Sequence, residues 1–292
     1  MGRNRIHIIL GILLTMVLPL FAKKPQQPVL TTEQEQQFTY YWYAARQAIE
    51  QERYPEAYSL LQFCHAIKPN DAQTLYYLGV MYGGLGRKDE ALEVWEKSYR
   101  LEPTNEALLD KLLRLYIAKE NWKKALEMQD AIDKVSGYDG YSAITRYRIY
   151  AMSNQPKKAL KVLDEYLETD PDNLRFMLFR LDVLDRLGAK PKVLYAAFEQ
   201  ILAIDPYNVS VLNNYAWTLA TNGGDLNKAE QMSAITIREE PNNPTCLDTY
   251  GWILHLKGQD ELALFYLNRA LWNVPKDSTT KEAIIKHIHA IR

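Results

Sequence analysis

The sequence predicts an all-α solenoid of about seven helix-turn-helix units closed by a C-terminal helix, and three observations carry that prediction. Seven punctuation residues, Pro69, Pro103, Gly137, Pro171, Pro206, Pro241 and Pro275, recur at intervals of 34, 34, 34, 35, 35 and 34 residues. A row of alanines keeps step a dozen positions ahead of most marks: Ala57, Ala91, Ala125, Ala159, Ala229 and Ala263. The composition, 47% apolar and 24% charged, is that of a folded chain with enough apolar residues for a core. A unit of this length cannot bury its own apolar face. Two rows in phase at this period therefore mean hairpins stacked on one another, with a core that lengthens with each repeat.

The N-terminus reads as an export signal over residues 1–22. Arg3 and Arg5 form a charged region, Ile8 to Leu18 an apolar one, and Leu20-Phe21-Ala22 a cleavage site before Lys23. The alternative is an uncleaved inner-membrane anchor over residues 6–22, about 17 residues and at the short limit for a bilayer crossing. Gly11, Thr15 and Pro19 weaken that alternative. No Cys lies near the cleavage point, which excludes a lipid-modified N-terminal cysteine. Residues 23–31, rich in Pro and Gln, are expected to be a flexible lead-in.

Thr32 followed by Glu35 has the pattern of a capping box, which should start the first helix. The solenoid then runs over residues 32–276, with repeats at about 38–71, 72–105, 106–139, 140–173, 174–208, 209–243 and 244–277. Each unit has a first helix with a small residue, as in Leu78-Gly79, a turn such as Leu85-Gly86 or Leu187-Gly188, and a second helix carrying the ladder alanine. Glycine permits a left-handed turn, small residues let helices approach, and proline separates one unit from the next.

Two units depart from this pattern. The third ends at Ser136-Gly137-Tyr138-Asp139-Gly140. In the fifth, Leu194 or Val193 replaces the ladder alanine, and Pro191 stands at the first turn of its second helix, where proline is tolerated. One extra residue there and one near Gly223-Gly224 account for the 35-residue spacings. After Pro275, residues 278–292 are expected to form a capping helix, again begun by a box pattern, Thr279 with Glu282. Ile284, Ile285, Ile288 and Ile291 should face the array, with Lys286, His287, His289 and Arg292 mostly on the opposite face.

Leu75, Leu78, Gly79, Tyr82, Ala91, Trp95, Ser98 and Pro103 stand in the second unit as the signature residues do in the tetratricopeptide repeat (TPR) family. Leu247, Tyr250, Gly251, Leu254, Ala263, Leu267, Ala270 and Pro275 do so in the seventh. The chain resembles that family over residues 38–276, and of its members the exported bacterial TPR proteins. The resemblance implies a right-handed superhelix whose first helices line a concave groove that binds proteins or peptides.

Residues that could carry chemistry are sparse. His287 and His289 are two apart, roughly 200° around a helix, and cannot grip one metal together. Gly83-Gly84-Leu85-Gly86-Arg87-Lys88 looks like a phosphate loop but joins two helices within a unit and lacks the Ser or Thr that such a loop requires. No nucleophile elbow, metalloprotease helix or dinucleotide fingerprint occurs. The reading is no catalytic residue, no metal and no cofactor. Cys64 and Cys246 fall in the first and last repeats, too far apart for a disulfide, and Cys64 occupies a small packing slot. The formal charge is −1, or −3 without residues 1–22, so no basic excess supports nucleic-acid binding. Asn208-Val209-Ser210 matches a glycosylation sequon.

A partner would meet the groove positions that core packing does not claim. In register these are Trp42 and Arg46, Tyr76 and Val80, Asp110 and Arg114, Ile144 and Arg148, Leu178 and Asp182, Asn213 and Trp217, then Asp248, Trp252 and His255. Aromatic residues with Arg are typical interface anchors. Trp217 and Trp252 occupy equivalent places in adjacent units, which singles out the groove of the sixth and seventh repeats. Two uses are open for these rings, anchoring a partner or padding the contacts between repeats. The Lys, Asn and Arg clamp with which some family members hold acidic C-termini is missing. The expected function is a non-catalytic scaffold or adaptor in the periplasm or cell envelope of a Gram-negative bacterium, holding a protein or peptide partner. It would not bind nucleic acid or insert in a membrane once the signal is removed. The rival readings are a glycan or peptidoglycan ligand stacked on the same rings and, third, an enzyme without a recognisable motif.

Overall fold

The computed structural model describes residues 29–275 and 279–291. The export-signal segment, residues 1–22, lies outside the described residues, as does the lead-in up to residue 28. Every regular element among the described residues is a helix, and the chain divides into two compact units, Met1–Leu101 and Glu102–Arg292.

The first unit holds two hairpins, α1 (Thr32–Glu50) with α2 (Tyr54–Ile67) and α3 (Ala72–Gly84) with α4 (Lys88–Leu101). The capping box at its start is one residue earlier than the sequence pattern suggested. The Thr31 hydroxyl accepts from the Gln34 amide at 3.2 Å, and the Gln34 side chain accepts from the Thr31 amide at 2.9 Å. Glutamine serves this reciprocal bond as well as glutamate does, so Thr32 becomes the first helical residue. The hairpins pack through Ala45, Ala48, Ala57, Leu61, Leu78 and Met81.

The second unit holds five hairpins. They pair α5 (Glu106–Ala118) with α6 (Trp122–Ser136), α7 (Gly140–Met152) with α8 (Pro156–Thr169), and α9 (Leu174–Arg186) with α10 (Pro191–Ile204). Then come α11 (Val209–Thr221) with α12 (Leu226–Glu239) and α13 (Pro244–Leu256) with α14 (Asp260–Asn273), and finally the single helix α15 (Thr279–Ile291). Thr279 is already helical, so it is not the cap of α15; the residue before it lies outside the described residues. Ile284 and Ile288 close the array against Leu247, Leu267, Ala270 and Val274.

Two further ladders accompany prolines and alanines. Each first helix from α3 to α13 begins on an Asp or Asn, namely Asp71, Asn105, Asp139, Asn173, Asn208 and Asn243, whose side chain accepts a backbone N–H of the first turn. These caps satisfy donors that the helix itself leaves unpaired. Each hairpin turn contains one left-handed residue: Glu52, Gly86, Glu120, Asn154, Gly188, Gly223 and Gly258. The left-handed turn thus belongs to every hairpin, including the three that lack glycine. In the fifth unit Leu194, 6% exposed, takes the alanine slot and Val193, 44% exposed, turns outward. Ala189 and Gly224 are the extra residues that lengthen the fifth and sixth turns.

Candidate interaction surface

In the first unit the rings chosen from the sequence are tied into packing. Trp42 meets Tyr77 edge-on with centroids 5.6 Å apart, Tyr76 meets the same ring at 5.1 Å, and the Arg46 guanidinium lies 5.1 Å from its centroid. Tyr77 is therefore the hub of this cluster, and the sequence reading did not select it. In the second unit Arg114 stands out in solvent, its Nε donating to both carboxylate oxygens of Asp110 at 3.0 and 2.8 Å. Arg148 is exposed, whereas Ile144 is buried.

The sixth and seventh hairpins bring together Trp217, Asp248, Trp252 and His255, and the structure adds a residue placed on the wrong face by the sequence reading. His287 does not point outward from α15. Its Nδ1 lies 2.8 Å from Asp248 Oδ1, and its ring stacks on Trp252 at 4.5 Å between centroids and stands 5.6 Å from Trp217. The Asp248 carboxylate can only accept, so Nδ1 carries the proton. His255 flanks Trp252 at 5.1 Å and bonds Asp260 at 2.7 Å. The periodicity of α15 was legible, but its rotation about the helix axis depends on docking against α13 and α14. Asn213, one turn before Trp217 on α11, is 5% exposed, and its Oδ1 meets no hydrogen-bond donor among the described residues.

Beside Trp217 a cleft of about 410 Å³ opens between α9 and α11. Leu178, Leu181 and Phe198 are among its apolar lining residues, and Asp182, Asp185 and Asn214 are among its polar ones. Asp182 pairs with Arg186 at 3.0 Å. A second cleft of about 340 Å³, lined by Asn213, Ser210, Asn214, Glu240 and Thr245, lies at the N-terminal ends of α11 and α13. A cleft of about 490 Å³ on α8, α9 and α10 is crossed by the ion pair of Arg180 with Asp164 at 2.6 Å.

The arrangement most like a catalytic centre is Tyr215, Glu199 and Lys228, which no sequence pattern groups. The Tyr215 hydroxyl donates to Glu199 Oε1 at 2.8 Å, and Lys228 Nζ donates to the same oxygen at 2.8 Å and to the Tyr215 oxygen at 3.0 Å. Burial raises the Tyr215 pKa, which opposes formation of a nucleophilic phenolate, and Lys228 in turn holds the Glu199 carboxyl below its usual range. This is a clamp across three helices. The thiols are equally quiet: both are free and buried, and burial pushes Cys64 up to about 11 and raises Cys246 as well. Asn208 of the sequon is engaged as the cap of α11 and donates to Asp205 at 2.9 Å. Among the described residues no cluster of three or more His, Cys, Asp or Glu is arranged to hold a metal, and no helix is long and apolar enough to cross a membrane.

The chain matches the family model of the Psidin N-terminal TPR repeats region over residues 47–143 and a tetratricopeptide repeat model over residues 197–231. A TPR repeat-containing protein of Pseudomonas aeruginosa is 27% identical over 153 residues, covering 51% of this chain and 26% of the relative. The human protein O-mannosyl-transferase TMTC1 is 24% identical over 217 residues, covering 74% of this chain and 21% of that protein. The chain thus spans about a quarter or less of the length of these relatives. Among solved structures, a tetratricopeptide repeat protein from Parabacteroides merdae aligns with 88% of this chain and 99% of its own at a TM-score of 0.45 and 15% identity. With seven in-phase hairpins, their small-residue crossings and two matching repeat models, the chain belongs to the tetratricopeptide repeat family.

Proposed function

We propose that this protein is a non-catalytic scaffold that holds a protein or peptide segment on the first-helix face of its sixth and seventh hairpins. The observation that carries this is the cluster of Trp217, Trp252, Asp248 and His287 beside the open cleft between α9 and α11. In it α15, a helix of the chain itself, is held by one hydrogen bond and by ring contacts, the means by which an interface anchors a partner. The same contacts weigh against a glycan stacked on these rings, because one face of Trp252 is already covered by His287. A place in a bacterial cell envelope is part of the proposal, supported by the Arg3, Arg5 and Ile8-to-Leu18 pattern.

The test is co-purification of partners with the full chain and with Trp217→Ala and Trp252→Ala, each first checked for an unchanged melting profile. Loss of specific partners in these variants is expected, and an unchanged partner set would refute the reading. N-terminal sequencing of the cell-associated protein decides the form of that signal: a chain starting at Lys23 supports cleavage, and a chain starting at Met1 refutes cleavage in favour of an anchor.

A further inference from the structure

Tyr40 of α1 stands where the later first helices carry Thr74, Leu108, Ser142, Phe176, Val211 and Cys246. Those six are at most 3% exposed, and Tyr40 is 69% exposed. The slot faces the second helix of the preceding hairpin: Ser142 Oγ donates to Asp133 of α6 at 2.7 Å, and Phe176 stacks on Tyr166 of α8 at 3.9 Å between centroids. Two turns further on, Gln47 is exposed where Met81, Leu115, Ile149, Val183 and Ile253 are buried. Among the described residues no element precedes α1, so on the first hairpin this face has no covering helix.

The face also has a pattern of its own. α1 is 19 residues long against 13 for every later first helix, and its added turns lie at the N-terminus. Glu33, Gln37, Tyr40, Ala44, Gln47 and the cap residue Gln51 follow one another at spacings of 4, 3, 4, 3 and 4 residues. That is the seam spacing of two helices packed side by side. No Lys or Arg falls on it, and Glu33 is its one charge. Laid against itself in the antiparallel sense, the seam sets Glu33 opposite Gln51, Gln37 opposite Gln47 and Tyr40 opposite Ala44. A carboxylate then meets an amide donor, two amides that each donate and accept meet one another, and a large ring meets a methyl group. A parallel pairing would set Glu33 on Glu33 and Tyr40 on Tyr40.

We propose that α1 pairs antiparallel with α1 of a second copy of this chain, forming a two-fold dimer along that seam. A two-fold interface requires a surface complementary to itself, which this face is, whereas a strongly acidic or basic partner would find no matching charge on it. Tyr43, 69% exposed beside Tyr40, widens the contact.

Sedimentation velocity of the full chain across a range of concentrations tests this. A concentration-dependent dimer is expected, weakened roughly tenfold or more by Tyr40→Lys or by Gln47→Lys, each of which places like charges along the seam. Both side chains are exposed, so the melting profile of each variant stays that of the parent. Orientation is read by oxidative cross-linking: a mixture of Tyr40→Cys and Ala44→Cys chains should link, and Tyr40→Cys alone should not. A monomer at every concentration, a dimer indifferent to both lysines, or Tyr40→Cys linking to itself would overturn the proposal. So would a Tyr40→Cys thiol shielded from maleimide in the monomer, which would assign the face to another occupant such as a segment of residues 1–28.

Discussion

Gly79→Ala tests the packing logic of the repeat most sharply. A Cβ built on Gly79 would lie 2.2 Å from Nε1, 2.4 Å from Cδ1 and 2.7 Å from Cε2 of Trp95. The ring cannot simply swing away, because it is buried and its Nε1 donates to the Tyr76 carbonyl at 3.0 Å. Either α3 and α4 must part or the indole must leave its slot. Overpacking of a tight core costs about 1–3 kcal/mol, and loss of the indole hydrogen bond adds about 0.5–1.5 kcal/mol. Better helix propensity returns about 1 kcal/mol. The net is a loss of roughly 0.5–3.5 kcal/mol, or about 4–8 °C per kcal/mol if the first unit, described over residues 29–101, melts by itself.

The repeat also supplies the rescue. At the equivalent places of the first hairpin, Ala45 faces Leu61, and both are fully buried. Gly79→Ala combined with Trp95→Leu recreates that pair, so the double variant should be more stable than the two single losses add up to, by about 1 kcal/mol or more. Thermal unfolding followed by circular dichroism at 222 nm on all four proteins completes the cycle. A neutral Gly79→Ala, or strict additivity, would refute the assigned register of the repeat.

Three more perturbations separate surface from structure. Glu120 adopts a left-handed conformation at φ 55°, in the slot that Gly86 and Gly258 fill elsewhere, so Glu120→Gly should stabilise by up to about 1 kcal/mol, read as a rise in melting temperature. Arg146 bridges Asp130 and the nearly buried Asp133, so Arg146→Ala should cost about 3 kcal/mol by leaving an uncompensated carboxylate, while Arg114→Ala, whose pair with Asp110 is in solvent, leaves the melting temperature unchanged. Cys64 should resist iodoacetamide in the native protein until the pH approaches about 11, from an ordinary value of 9.0 in the unfolded chain. Since the unfolded thiol ionises first, Cys64 also makes the fold less stable as pH rises through that window.

The architecture was legible because packing repeats. Ala57 to Ala263, Gly79 and Gly251 each answer a steric demand that recurs in every hairpin, and recurrence is visible in one dimension. The helix caps from Asp71 to Asn243 recur as regularly and carried the same signal, but they sit among the prolines and read as loop composition. Glu52, Glu120 and Asn154 could not be read in this way: their left-handed backbone is imposed by the hairpin closing around them, against their own preference. The candidate site was half legible. Equivalence of position identified Trp217 and Trp252. Nothing local showed that Tyr76 and Trp42 would be absorbed into contacts around Tyr77, since that depends on which rings the neighbouring helix offers.

The placement of His287 shows why the non-repeating residues carry the functional question. A cap needs only an apolar stripe against the last hairpin, and Ile284 and Ile288 supply it. It does not need a ring that reaches the first-helix face, bonds Asp248 and touches a tryptophan of the preceding hairpin. Burying Asp248 in the array would be unfavourable without a donor, so α13 and α15 are matched by chemistry as well as by shape. Asn213 repeats the acceptor of that match without its donor. A surface whose last position is satisfied in cis and whose preceding position is left unsatisfied is polarised along the array.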